Sequence, residues 1–165
     1  MKTIYLVRHA KSSWADWSLP DHDRPLNDRG KRDAPFMAAK LHEQGFQMDG
    51  ILTSTAKRAR RTAKAFRQAF ALEKNQELRQ RALYHADPDE IEAKIKQLPE
   101  AWSQVAVFGH NPGFTFLANR SQGAYIDNVP TCSITACRLD TENWANWSTA
   151  DAERLFFWYP KMWLR

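Results

Sequence analysis

A chain of 165 residues with 43% hydrophobic and 26% charged content suffices for one compact domain around a single core and is too short for two ordinary ones. No apolar run approaches the ~20 residues that span a bilayer, and the stretch before Arg8 is too short and too polar for a signal-peptide core, so a cytoplasmic protein without a membrane partner is expected. The net charge of +5 favours anionic partners such as phosphate esters, acidic protein surfaces or nucleic acid, and says nothing about fold.

Residues 3–7 form a continuous apolar and β-branched run, the pattern of a strand buried on both faces of a parallel sheet, and the run ends in Arg8-His9. Residues 10–26 carry aromatic and acidic side chains without periodicity and read as a loop. Asn27 suits the cap of a helix in which Ala34, Met37, Ala38 and Leu41 share a face and Gly45 marks the end, with Pro35 as a kink or a late start. A short strand at 50–53 follows, and Ser54 or Thr55 is expected to cap a helix with Ala59, Ala63, Phe66 and Phe70 on one face.

A third strand fits residues 77–79. Asp87, Pro88 and Glu90 then supply a cap, a proline at the first helical position and a capping-box acid for a helix with Ile91, Ile95 and Leu98 inward. Residues 105–108 are a further buried strand ending in Gly109-His110, and Asn111-Pro112 opens a helix through Phe114, Leu117 and Ala118. Strands at 133–139 and 154–159 complete the far edge of the sheet. Alternating strands and helices predict a three-layer α/β/α sandwich with a mostly parallel central sheet and a site at the carboxyl ends of the strands. Cys132 and Cys137, five apart, would face opposite sides of a strand and read as reduced thiols.

His9 and His110 each stand directly after a buried strand, which brings both to the edge where ligands bind. Either alone is more often a surface or hydrogen-bonding residue, but Arg8 beside one of them and a second strand end make the pair informative. Arg58 lies in the first turn of the second helix, where backbone N–H groups and the helix dipole favour an anion and a guanidinium can fork two phosphate oxygens. Its neighbours Lys57, Arg60, Arg61 and Lys64 read as a solvated basic face. Thr62, one turn on, is expected to orient Arg58. Asp21-His22-Asp23 invites a metal site, yet adjacent residues rarely converge on one ion and no HExxH-like pair accompanies them, so neither metal nor other cofactor is expected.

Arg8-His9-Ala10, Ser54-Thr55-Ala56-Lys57-Arg58-Ala59-Arg60-Arg61-Thr62 and Gly109-His110-Asn111-Pro112-Gly113, in this order, resemble the histidine phosphatase (phosphoglycerate-mutase-like) superfamily. Asp23-Arg24-Pro25-Leu26-Asn27-Asp28-Arg29-Gly30, Leu83-Tyr84, Val129-Pro130-Thr131 and Pro160-Lys161 are similar to its short SixA-like phosphohistidine phosphatase branch. The resemblance implies that His9 is a nucleophile that becomes phosphorylated, that Arg8, Arg58 and His110 hold the phosphoryl oxygens, and that Asn111 assists in binding substrate. Two features depart from the mutase-like pattern: Ala15 stands near an expected asparagine, and residues 83–87 offer no clear counterpart of the glutamate that acts there as general acid. Asp87 and Glu90 have an ordinary use as capping residues.

A weak acid handicaps hydrolysis of alkyl phosphates more than that of N-phosphorylated groups, whose leaving nitrogen is easily protonated. Phosphohistidine in a protein is therefore the expected substrate, with a small phosphomonoester as the alternative. A basic nucleic-acid or phosphoprotein binding module is a weaker expectation, because no interleaved aromatic strand pattern and no zinc-ligand spacing accompany the cations. Trp14 and Trp17 are placed either at the mouth of the site or in ordinary packing of loop on sheet.

Overall fold

The computed structural model describes residues 1–164. Six strands form one sheet: β1 (Lys2–Arg8), β2 (Gly50–Ser54), β3 (Glu77–Gln80), β4 (Gln104–Gly109), β5 (Ile134–Leu139) and β6 (Glu153–Trp158), in the spatial order β3-β2-β4-β1-β5-β6. The first four run parallel and the last two are antiparallel at one edge, which satisfies the expected mostly parallel sheet. Helices α1 (Asp28–Glu43), α2 (Lys57–Ala69), α3 (Pro88–Ile95) and α4 (Gly113–Arg120) cover its faces.

Side-chain alternation along β1 divides the apolar interior in two. Tyr5 and Val7 pack with Met37 and Leu41 of α1 and Phe66 of α2, whereas Ile4 and Leu6 pack with Ile91 and Ile95 of α3 and Phe114 and Leu117 of α4. The central strands are therefore buried on both faces, and their unbroken apolar runs follow from that burial. Cys132 and Cys137 are free and buried, one in each core.

Helix α1 begins as the sequence indicates: Asn27 Oδ1 accepts from the Gly30 backbone N–H at 2.9 Å. Pro35 lies within a helix that starts seven residues earlier, which removes the late start. The close approach of α1 to the loop after β1 requires Gly30, since a Cβ there would stand 2.2 Å from the Lys11 carbonyl oxygen. Asp87 and Glu90 close a reciprocal capping box on α3.

Two helix starts differ from expectation. Helix α2 begins at Lys57 after Ala56, with no side-chain cap: Ser54 belongs to β2 and its hydroxyl reaches only the Ala56 N–H ahead of the helix, while the Thr55 hydroxyl meets His22. Helix α4 begins at Gly113, so Pro112 flanks the helix and is not its first residue; the Asn111–Pro112 peptide is cis. Register places the site. Val7 pairs with Phe108 and Arg8 with Gly109, so His9 and His110 leave adjacent strands at the same height.

Candidate active site

The ring centroids of His9 and His110 are 5.2 Å apart. Both residues are buried, as is Arg58, and all three line with Arg8 a cavity of about 190 Å³ at the carboxyl ends of β1 and β4. The structure thus gathers the four side chains that the sequence singled out from positions 8, 9, 58 and 110.

His9 is fixed by its own backbone. Its Nδ1 lies 2.8 Å from the Ala10 carbonyl oxygen; a carbonyl only accepts, so Nδ1 carries the proton and Nε2 keeps its lone pair. The segment is tied to α2, because the Ala10 N–H donates to Thr62 Oγ1 at 2.9 Å while that hydroxyl donates to the Arg58 carbonyl at 2.8 Å. Thr62 therefore anchors the His9 loop and does not orient the Arg58 guanidinium, correcting the sequence-based expectation.

His110 Nε2 is 2.8 Å from Ser54 Oγ, which also accepts from the Ala56 N–H at 3.2 Å. The Ser54 hydroxyl has no other acceptor among the described residues, so it donates to Nε2, leaving the proton of a neutral His110 on Nδ1. This is where the hydroxyl expected to cap α2 has gone. His110 Nδ1, Arg8 Nε and Arg58 Nε are buried and have no hydrogen-bond partner among the described residues. Unsatisfied buried donors are rare and costly, and three on residues lining one cavity suit an anion.

Burial, joined by the cations Arg58, Arg8 and Arg24, outweighs the hydrogen bond to the Ala10 carbonyl and drives the His9 pKa down to about 3. Burial foremost, then His9 and Arg58, lowers that of His110 to about 2. Both rings are neutral at physiological pH. The unfolded chain binds protons at these histidines below about pH 6.5, and the native state does not until far lower, so their contribution to stability is complete above pH 6.5 and is lost as pH falls. Lowering the pH from about 7.5 to 5.0 is expected to cost about 4 kcal/mol through the two rings together. His110→Asn should lose about 2 kcal/mol less over that interval in urea titrations, and an identical loss would contradict the assignment.

Asp21, passed over as a site residue, organises the opposite wall. Its carboxylate accepts from Arg58 Nη2 at 2.9 Å, Arg24 Nε at 3.1 Å and the Tyr84 hydroxyl, and its backbone carbonyl accepts from Arg58 Nη1 at 2.7 Å. Partial burial works against the charge, but the hydrogen bonds from Tyr84, Arg58 and Arg24 outweigh it and hold Asp21 well below the usual carboxylate range. Arg58 is thereby clamped with its Nε unused. His22 Nε2 instead meets Thr55 Oγ1 at 2.8 Å while its Nδ1 lies 3.5 Å from Asp23, away from the Asp21 carboxylate's partners, and no group of three or more His, Cys, Asp or Glu among the described residues is arranged to hold a metal ion.

Arg8 Nη1 donates to the Val129 carbonyl at 2.9 Å. Asn111 lines the cavity, but its amide is saturated: Nδ2 donates to Asn128 Oδ1 and the Val129 carbonyl, and Oδ1 accepts from Thr115 N and Oγ1. These contacts fix the loop that carries Val129 and leave the Asn111 side-chain amide without a free donor. The Trp14 ring lies under the Arg24 guanidinium at 3.5 Å, 67% exposed, and Trp17 is 88% exposed. Ordinary packing against the sheet is ruled out for both. His85 also lines the cavity, with φ of +59° and its Nε2 3.6 Å from Asp21.

The model of the histidine phosphatase superfamily (branch 1) matches residues 4–121. An uncharacterised chloroplast protein of Arabidopsis thaliana is 32% identical over 152 residues, which cover 87% of this chain and 69% of that protein. Among solved structures, a protein of Nakamurella multipartitia assigned as phosphohistidine phosphatase SixA is 27% identical with a TM-score of 0.81, covering 96% of each chain. One of Agrobacterium tumefaciens, assigned likewise, is 25% identical with a TM-score of 0.80, covering 96% of this chain and 98% of that one.

Proposed function

The chain belongs to the histidine phosphatase superfamily, and from that premise we propose that it is a metal-independent phosphatase that forms a covalent phosphohistidine on His9 and acts on phosphohistidine in proteins. One observation carries the proposal: a neutral imidazole with its lone pair on Nε2 shares a small cavity with Arg8, Arg58 and His110, whose buried donors are unpaired. In the first step the Nε2 lone pair forms a bond to phosphorus while the bond to the leaving nitrogen breaks. The leaving group keeps that electron pair and takes up a proton. In the second, water attacks phosphorus, the P–N bond returns its electrons to Nε2, and inorganic phosphate departs. Arg8, Arg58 and His110 Nδ1 meet the charge spread over the equatorial oxygens. No step requires a metal.

The protein substrate is favoured by the leaving-group chemistry. Asp87 and Glu90 are engaged in the α3 capping box and do not line the cavity, so no carboxylic acid from residues 83–90 stands there to protonate an alkoxide. A leaving imidazole nitrogen needs such help least. The SixA assignments of the two solved neighbours agree with this choice. The test is turnover of a phosphohistidine-bearing protein beside a panel of sugar phosphates, nucleotides and aryl phosphates, with and without chelator. We expect kcat/KM at least about tenfold higher for the phosphoprotein and unchanged in chelator. A large preference for a small ester would assign the enzyme to small-molecule hydrolysis, and loss of activity in chelator would contradict metal independence.

A further inference from the structure

Sharing Arg8, Lys11 and Thr131 with the catalytic cavity, a larger groove of about 770 Å³ runs between the start of α1, the loop at Pro130 and the C-terminal turn Pro160–Met162. Its charge is one-sided. Lys11, Arg29, Arg32 and Lys161 join Arg8 on its wall, and among the described residues Asp33 is the one carboxylate in that wall. Asp33 is 1% exposed, with its oxygens 2.8 Å from Arg32 Nη2 and 3.7 Å from Arg29 Nε. A buried carboxylate between two exposed guanidiniums holds them in place and offsets only part of their charge. Arg29 also donates to Thr131 Oγ1 at 3.1 Å, on the rim shared with the cavity. Neither Lys11 nor Lys161 forms an ion pair among the described residues.

Arg8, Arg58 and His110 already match the phosphoryl group. The additional cations around the groove repel one another, and such an array is relieved by an anion. Tyr159, Pro130 and Leu164 give the same groove an apolar floor, so it suits an organic group that bears charge better than a free ion. We propose that this groove is the leaving-group subsite and that it selects substrates whose leaving group carries a second negative charge, a carboxylate or a further phosphate. The inference rests on the phosphatase chemistry of the cavity and not on phosphohistidine as the phosphodonor.

Two matched pairs of substrates test it: phosphohistidine peptides with acidic flanking residues or with the corresponding neutral amides, and phosphomonoesters with or without a carboxylate on the alcohol. In about 50 mM salt the acidic member is expected to show kcat/KM about tenfold higher, falling towards parity in about 0.5 M salt as screening shortens the reach of the cations. Arg32→Ala with Lys161→Ala should remove most of that preference and leave the neutral member within about twofold of the parent. Lys161→Ala alone should lower it about threefold, and because Lys161 holds no ion pair, this variant reports on the groove even if loss of Arg32 loosens α1. Failure to turn over either peptide would withdraw phosphohistidine as substrate and leave the ester pair to decide. Equal kcat/KM within each pair at low salt, or an undiminished preference in the double variant, overturns the subsite. Inactivity towards all four would overturn the phosphatase chemistry and the subsite with it.

Discussion

His9→Ala is expected to leave a folded protein whose turnover is lower by about four orders of magnitude or more, because a nucleophile has no substitute once the covalent route is closed. His9 sits at the end of a strand whose hydrogen bonds come from the backbone, so the sheet does not depend on its ring. Quenching the parent during turnover should trap label that is stable to alkali and lost in acid, as a phosphorus–nitrogen bond requires. The variant should trap none. Turnover by His9→Ala at the parental rate, or acid-stable label on the parent, would place the phosphoryl group elsewhere.

Arg58→Ala should lower kcat/KM by about 10³, equivalent to about 4 kcal/mol of lost transition-state stabilisation. The loss should fall mainly on kcat, since charge on the equatorial oxygens grows as the reaction proceeds. Arg58→Lys should recover little, because one ammonium cannot hold the Asp21 carboxylate and carbonyl and also present a fixed donor. Asp21→Asn separates positioning from charge: the guanidinium remains while its anchor weakens, and a loss of only about tenfold is expected. Equal losses for Asp21→Asn and Arg58→Ala would mean that the carboxylate acts directly on substrate.

The layered sheet was legible because β1 and β4 lie at its centre. A strand covered on both faces must be apolar at every position, so residues 4–7 and 105–108 announced themselves, and the residues following them had to share the carboxyl edge. Asp21 was not legible. It sits on an aperiodic loop, and its partners Arg58 and Tyr84 are 37 and 63 residues away, so no local spacing connects them. The one available sign was a carboxylate in a region opposite basic residues, which Asp16 and Asp23 offered equally. Ser54 misled for a related reason. A serine before a helical pattern is a good cap on local grounds, but β2 extends through it, and His110, brought alongside by the neighbouring strand β4, takes its hydroxyl.

The strand order has a kinetic corollary. Both imidazoles spring from interior ladders, which exchange their amide hydrogens only when the whole molecule opens, whereas the stretch bearing Trp14 and Trp17 is fastened by a single isolated bridge and a few side chains. Amides of residues 4–7 and 105–108 should therefore be the last to exchange, and those of residues 14–20 among the first. A bulky phosphodonor can then be admitted by fluctuation of the rim, with the two rings kept in register throughout.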